Sequence, residues 1–211
     1  MKLYYNPLST YSQKVLIACY EKGITFEPEI VDLTNPAAHK AYNKLYPLGK
    51  IPLLITDNDR MIPESSIIIE YFDQRYTRTP NLIPKDKGQA RQVRFSDRMH
   101  DFYLNDPAVK ILMENMKPEN ERNPVLIIKS RQTLDVIYEF LNHELNNHTW
   151  SNGEHFSLSD CAAAPALFYA QRVHPFNKYA SIKAYFSRLM GRPSFQKVVK
   201  EAEPLLKKFL N

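Results

Sequence analysis

The chain has 211 residues, room for one large domain or two small ones with a buried core. Hydrophobic residues make up 44% and charged residues 24%, an ordinary globular balance, and no run approaches the ~18 apolar residues of a membrane-spanning helix. The formal charge of +5 comes from scattered Lys and Arg. With no basic tail or aromatic-interleaved basic stripe, it argues against nucleic acid and reads as a solvated surface that also attracts an anionic small molecule.

The opening "MKLYYNPLS" lacks the basic-then-apolar pattern of a signal peptide. It alternates like a strand, so a cytoplasmic protein with no membrane partner is expected. "LSTYSQKVLIACYEKG" follows with Val15, Leu16, Cys19 and Tyr20 at helical spacing, and Gly23 is well placed to end that helix. "ITFEPEIVDL" reads as a second strand, and "NPAAHKAYNKLYP" as an irregular helix ended by Pro47. "KIPLLIT" and "RMIPES" read as two strands joined by the turn "DNDR", and "SSIIIEYFDQRY" as a helix. The order βαβ, connector, ββα implies a mixed sheet flanked by helices.

The polar, proline-rich "TRTPNLIPKDKG" makes a good interdomain linker. The expected division is 1–77, a linker over 78–88, and an all-helical unit over 89–211. Its candidate helices are "QARQVRFSDRMHDFYL", "NPVLIIKSRQTLDVIYEFLNHEL", "SLSDCAAAPALFYAQRV", "SIKAYFSRLMG" and "PSFQKVVKEAEPLLKKF". Ser157 and Asp160 form a capping-box-like pair at the third of these, and Phe156 precedes them. Pro165 falls inside that helix, where a kink or loosened turn is expected. Cys19 and Cys161 lie in apolar helical stretches and read as buried thiols; no Cys/His cluster has metal spacing, so no metal is expected. The histidines from His100 onward lack a partner pattern and read as surface or boundary residues. Core packing is the default for Met99 and Tyr103, whose helical face also suits a second-substrate pocket.

Three features carry chemistry. "LSTYS" sits at a helix N-terminus, where bare amides and the helix dipole favour negative charge. Ser9 or Ser12 can donate there to a bound thiolate; either also reads as a plain N-cap. In "GKIPLL", Ile51–Pro52 precedes an apolar strand. It reads as an ordinary edge-strand proline, or as a cis peptide that leaves the Ile51 main chain free to pair with an extended peptide. In "PESSIIIEYF", Glu64 can accept from an ammonium group, while Ser65 can cap the helix whose first amides bind a carboxylate.

In order and spacing, "LSTYSQKVLIACYEKGITFE", "YPLGKIPLL", "PESSIIIEYF", "FSLSDCAAAPALF" and "RLMGRPSF" resemble the cytosolic glutathione transferases, nearest in style to the bacterial serine-type branch. The resemblance spans nearly the whole chain. It implies an α/β thioredoxin-like N-terminal domain (βαβ-α-ββα), an all-α C-terminal domain, and a homodimer acting in detoxification. It implies glutathione as cosubstrate, with Ser9 stabilising its thiolate for attack on a hydrophobic electrophile and Ser12 as the runner-up. Ile51 matches the residue whose main chain pairs with the cysteinyl unit, and Pro52 the family's cis-proline. Glu64 and Ser65 match the holders of the γ-glutamyl end, and Lys50 a residue near the glycyl end, with His39 or Lys40 also in reach. Tyr46 stands where the family often has asparagine, and no cysteine occupies the active turn. A second implication is a non-enzymatic interaction protein, because "TYSQKVLIACYEKG" also resembles stringent starvation protein A. A glutathione-dependent isomerase or dehalogenase is a third.

Overall fold

The structure, a computed structural model, describes the backbone of residues 1–210 and the side chains of residues 1–207. The N-terminal domain runs β1 (Lys2–Tyr5), α1 (Thr10–Lys22), β2 (Glu27–Ile30), α2 (Pro36–Leu45), β3 (Leu53–Ile55), β4 (Met61–Pro63) and α3 (Ser65–Arg75). The four strands form one mixed sheet in the order β2-β1-β3-β4. The α1 crossover makes β1 and β2 parallel, whereas β3 pairs antiparallel with both β1 and β4. The second strand is shorter than its sequence pattern. Ile24 is spent on the end of α1, where its amide bonds the Cys19 carbonyl at 2.8 Å beside Gly23 at φ 62°. Pro28 is tolerated because β2 lies at the sheet edge.

Every residue of α1 from Ser12 to Cys19 is buried, because the helix packs on α3 and on helices of the second domain at once. That explains the unbroken run "KVLIAC": one apolar stripe would not serve a helix covered on all sides.

The C-terminal domain is all-helical: α4 (Lys87–Met99), α5 (Asp106–Asn115), α6 (Pro124–Glu144), α7 (Leu158–Val173), α8 (Ala180–Met190) and α9 (Pro193–Leu210). A π-helical turn over His100–Asn105 joins α4 to α5. The sequence pattern stops its first helix near Leu104 and misses α5, because "NDP" looks like a breaker. The wider turn carries the chain through, with the Asp106 amide bonding the Asp101 carbonyl. Pro107 then falls in the first turn of α5, where a missing amide does little harm.

At the centre, α7 is buried from Leu158 to Ala170. The helix continues through Pro165 without a break, and its alanines let neighbouring helices come close. The Asp160 carboxylate closes the start of α7 by accepting from the Ser157 amide at 2.8 Å. It also accepts from the Ser151 amide at 2.8 Å and the Tyr185 hydroxyl at 2.6 Å, tying the 151–157 loop and α8 to the core.

Polar groups also bind the two domains together. The buried Lys14 ammonium on α1 lies 2.6 Å from Asp97 Oδ1 and 2.8 Å from Asp101 Oδ2, and donates to Ser66 Oγ at 3.0 Å. Ser66 in turn donates to Asp97 Oδ2 at 2.7 Å. Burial dominates the Asp101 carboxyl and pushes its pKa up to about 6, against the pull of Lys14. Beside it His100 is buried too, which pushes its pKa down to about 4.

Asp160→Ala strips four donors, the Ser151 amide, the Ser157 amide and hydroxyl and the Tyr185 hydroxyl, of their shared carboxylate. It should destabilise the protein by about 3 kcal/mol or more, read from urea unfolding at neutral pH. The buried pair sets a pH dependence. His100 binds its proton less readily folded than unfolded, so its contribution to stability grows as pH rises from about 4 to about 6.5. Asp101, with its folded pKa raised, acts in the opposite sense between about 4 and about 6. His100→Gln removes only the first effect. The stability difference between wild type and this variant should widen as pH rises through that window, and a pH-independent difference would contradict the assignment.

Candidate functional site

The β1–α1 loop is held rigidly. Asn6 Nδ2 donates to the Val31 carbonyl at 3.0 Å, and Asn6 Oδ1 accepts from the Leu8 amide at 2.9 Å. The Tyr169 hydroxyl on α7 donates to the Leu8 carbonyl at 3.1 Å, and Gln13 Nε2 donates to the Pro7 carbonyl at 2.6 Å. The loop thus delivers Ser9 as the N-cap of α1, where Ser9 Oγ accepts from the Ser12 amide at 3.3 Å. That bond occupies an acceptor lone pair and leaves the hydroxyl proton free to point outward. The first two amides of α1 have no intrahelical partner.

Ser9 is partly exposed and opens on an interdomain cleft of about 790 Å3. Ser12 is wholly buried, accepts from the Asn6 amide at 3.3 Å, and does not line the cleft. Ile51 lines it, and the Ile51–Pro52 peptide is cis. Among the described residues no backbone hydrogen bond engages the Ile51 amide, which lies just outside the β3 ladder.

At the start of α3 the outcome differs from the sequence expectation in one respect. Ser65 is not the cap; it is the first helical residue, and Glu64 holds the N-cap position with no side-chain cap bond. Glu64 instead has φ 70° and an exposed side chain. A non-glycine residue held at positive φ stores backbone strain that the fold must offset elsewhere. Its carboxylate is left without a cap bond to the first amides of α3. Lys50 is exposed, and its carbonyl accepts from Tyr42 at 2.8 Å. His39 is half-buried against Gly49, where a Cβ would lie 2.9 Å from its Nε2. With φ 62° as well, Gly49 is the residue this turn requires. Of the predicted glutathione-holding residues only Ile51 lines the cleft; Lys50, Pro52, Glu64, Ser65 and His39 do not, and no described contact draws Lys40 to Lys50 or His39.

The cleft beyond Ser9 is mainly apolar, walled by Leu8, Tyr11, Val109, Leu112, Met113 and Tyr169. The Tyr11 hydroxyl donates to Asp106 Oδ1 at 3.1 Å, and burial raises its pKa. Asn105 is buried at the same wall, and its Oδ1 has no hydrogen-bond partner among the described residues. Met99 and Tyr103 do not line this cleft. The wall residues from α5 were out of reach of sequence reading because α5 itself was missed. Tyr11 carried a signal, lying between two candidate serines at a helix start.

The chain is similar to known proteins along most of its length. Residues 3–80 match the profile of the glutathione S-transferase N-terminal domain, and residues 104–193 that of the C-terminal domain. Glutathione S-transferase 3 of Zea mays is 31% identical, over 94% of this chain and 93% of its own. A stringent starvation protein A homolog of Coxiella burnetii is 28% identical, over 98% and 95%. A glutathione S-transferase of Methylobacillus flagellatus, solved with GSH bound, superposes with a TM-score of 0.83 at 30% identity, covering 93% of this chain and 98% of that one. On this evidence the chain belongs to the glutathione S-transferase family.

Proposed function

We propose that the chain is a glutathione transferase in which Ser9 stabilises the glutathione thiolate for attack on an apolar electrophile. The observation that carries this reading is the Ser9 hydroxyl, its acceptor side held by the Ser12 amide and its proton free at the mouth of the cleft. A thiolate set there meets one hydroxyl donor, the first amides of α1 and the positive end of the helix dipole. The same field lowers thiol pKa values at other helix N-termini. The chain supplies orientation and charge stabilisation, and the nucleophile belongs to the cosubstrate. Ser12 lacks such access, so its role in this scheme is to hold Ser9.

Glutathione would lie as an extended strand, its cysteinyl unit pairing with the main chain of Ile51 beside Pro52. Its γ-glutamyl carboxylate would take the amides at the start of α3 and the Ser65 hydroxyl, and its ammonium group the Glu64 carboxylate. Lys50 and His39 would serve the glycyl carboxylate. The electrophile would occupy the apolar wall, with carbon–sulfur bond formation as the common first step whether conjugation, isomerisation or dehalogenation follows. A homodimer belongs to the same proposal, supported by exposed apolar side chains at Met61, Ile67 and Phe102. So does a cytoplasmic role in detoxification.

The second reading, an interaction protein without turnover, is favoured by the near full-length similarity to the stringent starvation protein A homolog. Retention on glutathione resin with turnover of chlorodinitrobenzene supports the enzyme; no retention supports the interaction protein.

Ser9→Ala should lower kcat by about 100-fold while changing the KM for glutathione little, and should raise the apparent pKa of the bound thiol. If Ser9→Ala and Ser12→Ala both keep full conjugating activity, the mechanism is wrong. Glu64→Gln with Ser65→Ala should weaken glutathione binding by roughly tenfold or more in calorimetry, since both changes remove contacts to the charged γ-glutamyl end.

A further inference from the structure

Every backbone donor and acceptor in residues 6–9, the turn that delivers Ser9, has a partner. The Asn6 amide donates to Ser12 Oγ at 3.3 Å, the Leu8 amide to Asn6 Oδ1 at 2.9 Å, and the Ser9 amide to the Asn6 carbonyl at 3.0 Å. The Ser9 carbonyl accepts from the Gln13 amide at 2.8 Å, and the Pro7 carbonyl from Gln13 Nε2 at 2.6 Å. All of these partners lie in the loop itself or in α1. The Leu8 carbonyl is the exception. Its partner is the hydroxyl of Tyr169, 161 residues on and in the helical domain, at 3.1 Å.

The exception falls at a sensitive place. The Leu8 carbonyl and the Ser9 amide are the two ends of one planar peptide group. Asn6 holds one end and Tyr169 the other, so the plane from which Ser9 projects is fixed at both. Gln13 Nε2, already on Pro7, lies 3.4 Å from the Tyr169 oxygen, an arrangement that leaves the phenol proton for Leu8. Tyr169 is 2% exposed and sits near the end of the buried run of α7. Burial raises its pKa, so the hydroxyl stays a donor through the range in which a thiol ionises.

The other loop bonds would survive separation of the two domains; the Tyr169 bond would not. The turn is thus formed locally, and its final tilt is set by the second domain. That tilt matters for an anion at Ser9, because charge-assisted hydrogen bonds are short and directional.

We propose that Tyr169 is a positioning residue for the thiolate site, acting through the Leu8–Ser9 peptide to hold the Ser9 hydroxyl and the first amides of α1 on the glutathione sulfur. The identity of the ligand rests on the transferase reading; the loop geometry does not. The helical domain then does more than wall the cleft for the electrophile: it helps set the acidity of a thiol bound in the other domain.

Tyr169→Phe removes the hydroxyl and keeps the ring. Tyr138→Phe is its control, since Tyr138 is also buried and donates to a carbonyl, that of His174, at 2.8 Å, away from the cleft. Both are compared with wild type by ultraviolet titration of the bound glutathione thiolate, by chlorodinitrobenzene turnover against pH, and by amide hydrogen exchange. Tyr169→Phe should raise the thiol pKa by about one unit and lower kcat near neutral pH about tenfold, with the KM for glutathione within about twofold. The rate deficit should shrink as pH rises through the raised pKa, where the variant's thiol ionises too. Exchange at the Ser9 and Thr10 amides should quicken. Tyr138→Phe should match wild type in all three measurements. An unchanged thiol pKa and loop exchange in Tyr169→Phe, a rate deficit equal at every pH, or the same shifts in Tyr138→Phe would each overturn the proposal. If wild type binds no glutathione thiolate, the transferase reading fails by itself and loop exchange decides: faster exchange in Tyr169→Phe than in Tyr138→Phe upholds the positioning of Ser9, and equal exchange ends it.

Discussion

The structure depends on α1 being buried on all sides with a charge inside it. Lys14 sits in the middle of that helix, and its ammonium is met by Asp97, Asp101 and Ser66 from α4, the π-helical turn and α3. An ammonium group taken out of water costs several kcal/mol unless oppositely charged and hydrogen-bonding partners surround it. The cluster therefore forms only when both domains are docked. Docking in turn fixes the helix whose N-terminus carries Ser9, so one buried ion network sets where the cleft opens.

The same docking arranges the rest of the site. Tyr169 on α7 reaches back to the Leu8 carbonyl, so the helical domain holds the loop that presents Ser9. The π-helical turn brings Asn105 and Asp106 to the cleft while its other end buries His100 and Asp101. A plain α-helix through 100–105 would rotate these residues relative to one another by a fraction of a turn. Insertions of this kind are often found beside functional sites. Glu64 adds a local departure of its own: the residue before α3 is held at φ 70°, and its side chain makes no cap bond.

Much of this was legible in the sequence because it depends on local patterns. Gly23 ends α1 with positive φ, as a helix-terminating glycine should, and Asp160 takes the Ser157 amide as the capping spacing implies. The strand and helix order of the first domain follows from alternation and helical spacing, which report which faces are covered. The apolar wall of the cleft was not legible. Tyr11 lies on α1, and Asn105 and Met113 on the turn into α5 and on α5 itself, and nothing in their spacing says that these two parts of the chain face one another. His100 is the clearest case: no pattern around it distinguishes a surface residue from one sealed at a domain boundary.

The family, the order of elements and the short list of candidate groups are all readable along the chain, because motif order and hydrophobic period survive without knowledge of packing. Packing settled which serine is reachable: Ser9, the N-cap, lines the cleft, whereas Ser12, inside the first turn, is sealed. It also moved the cap of α3 from Ser65 to Glu64 and tied Tyr169 to the loop that presents Ser9. These outcomes rest on distances between residues far apart in the chain, which periodicity along the chain does not encode.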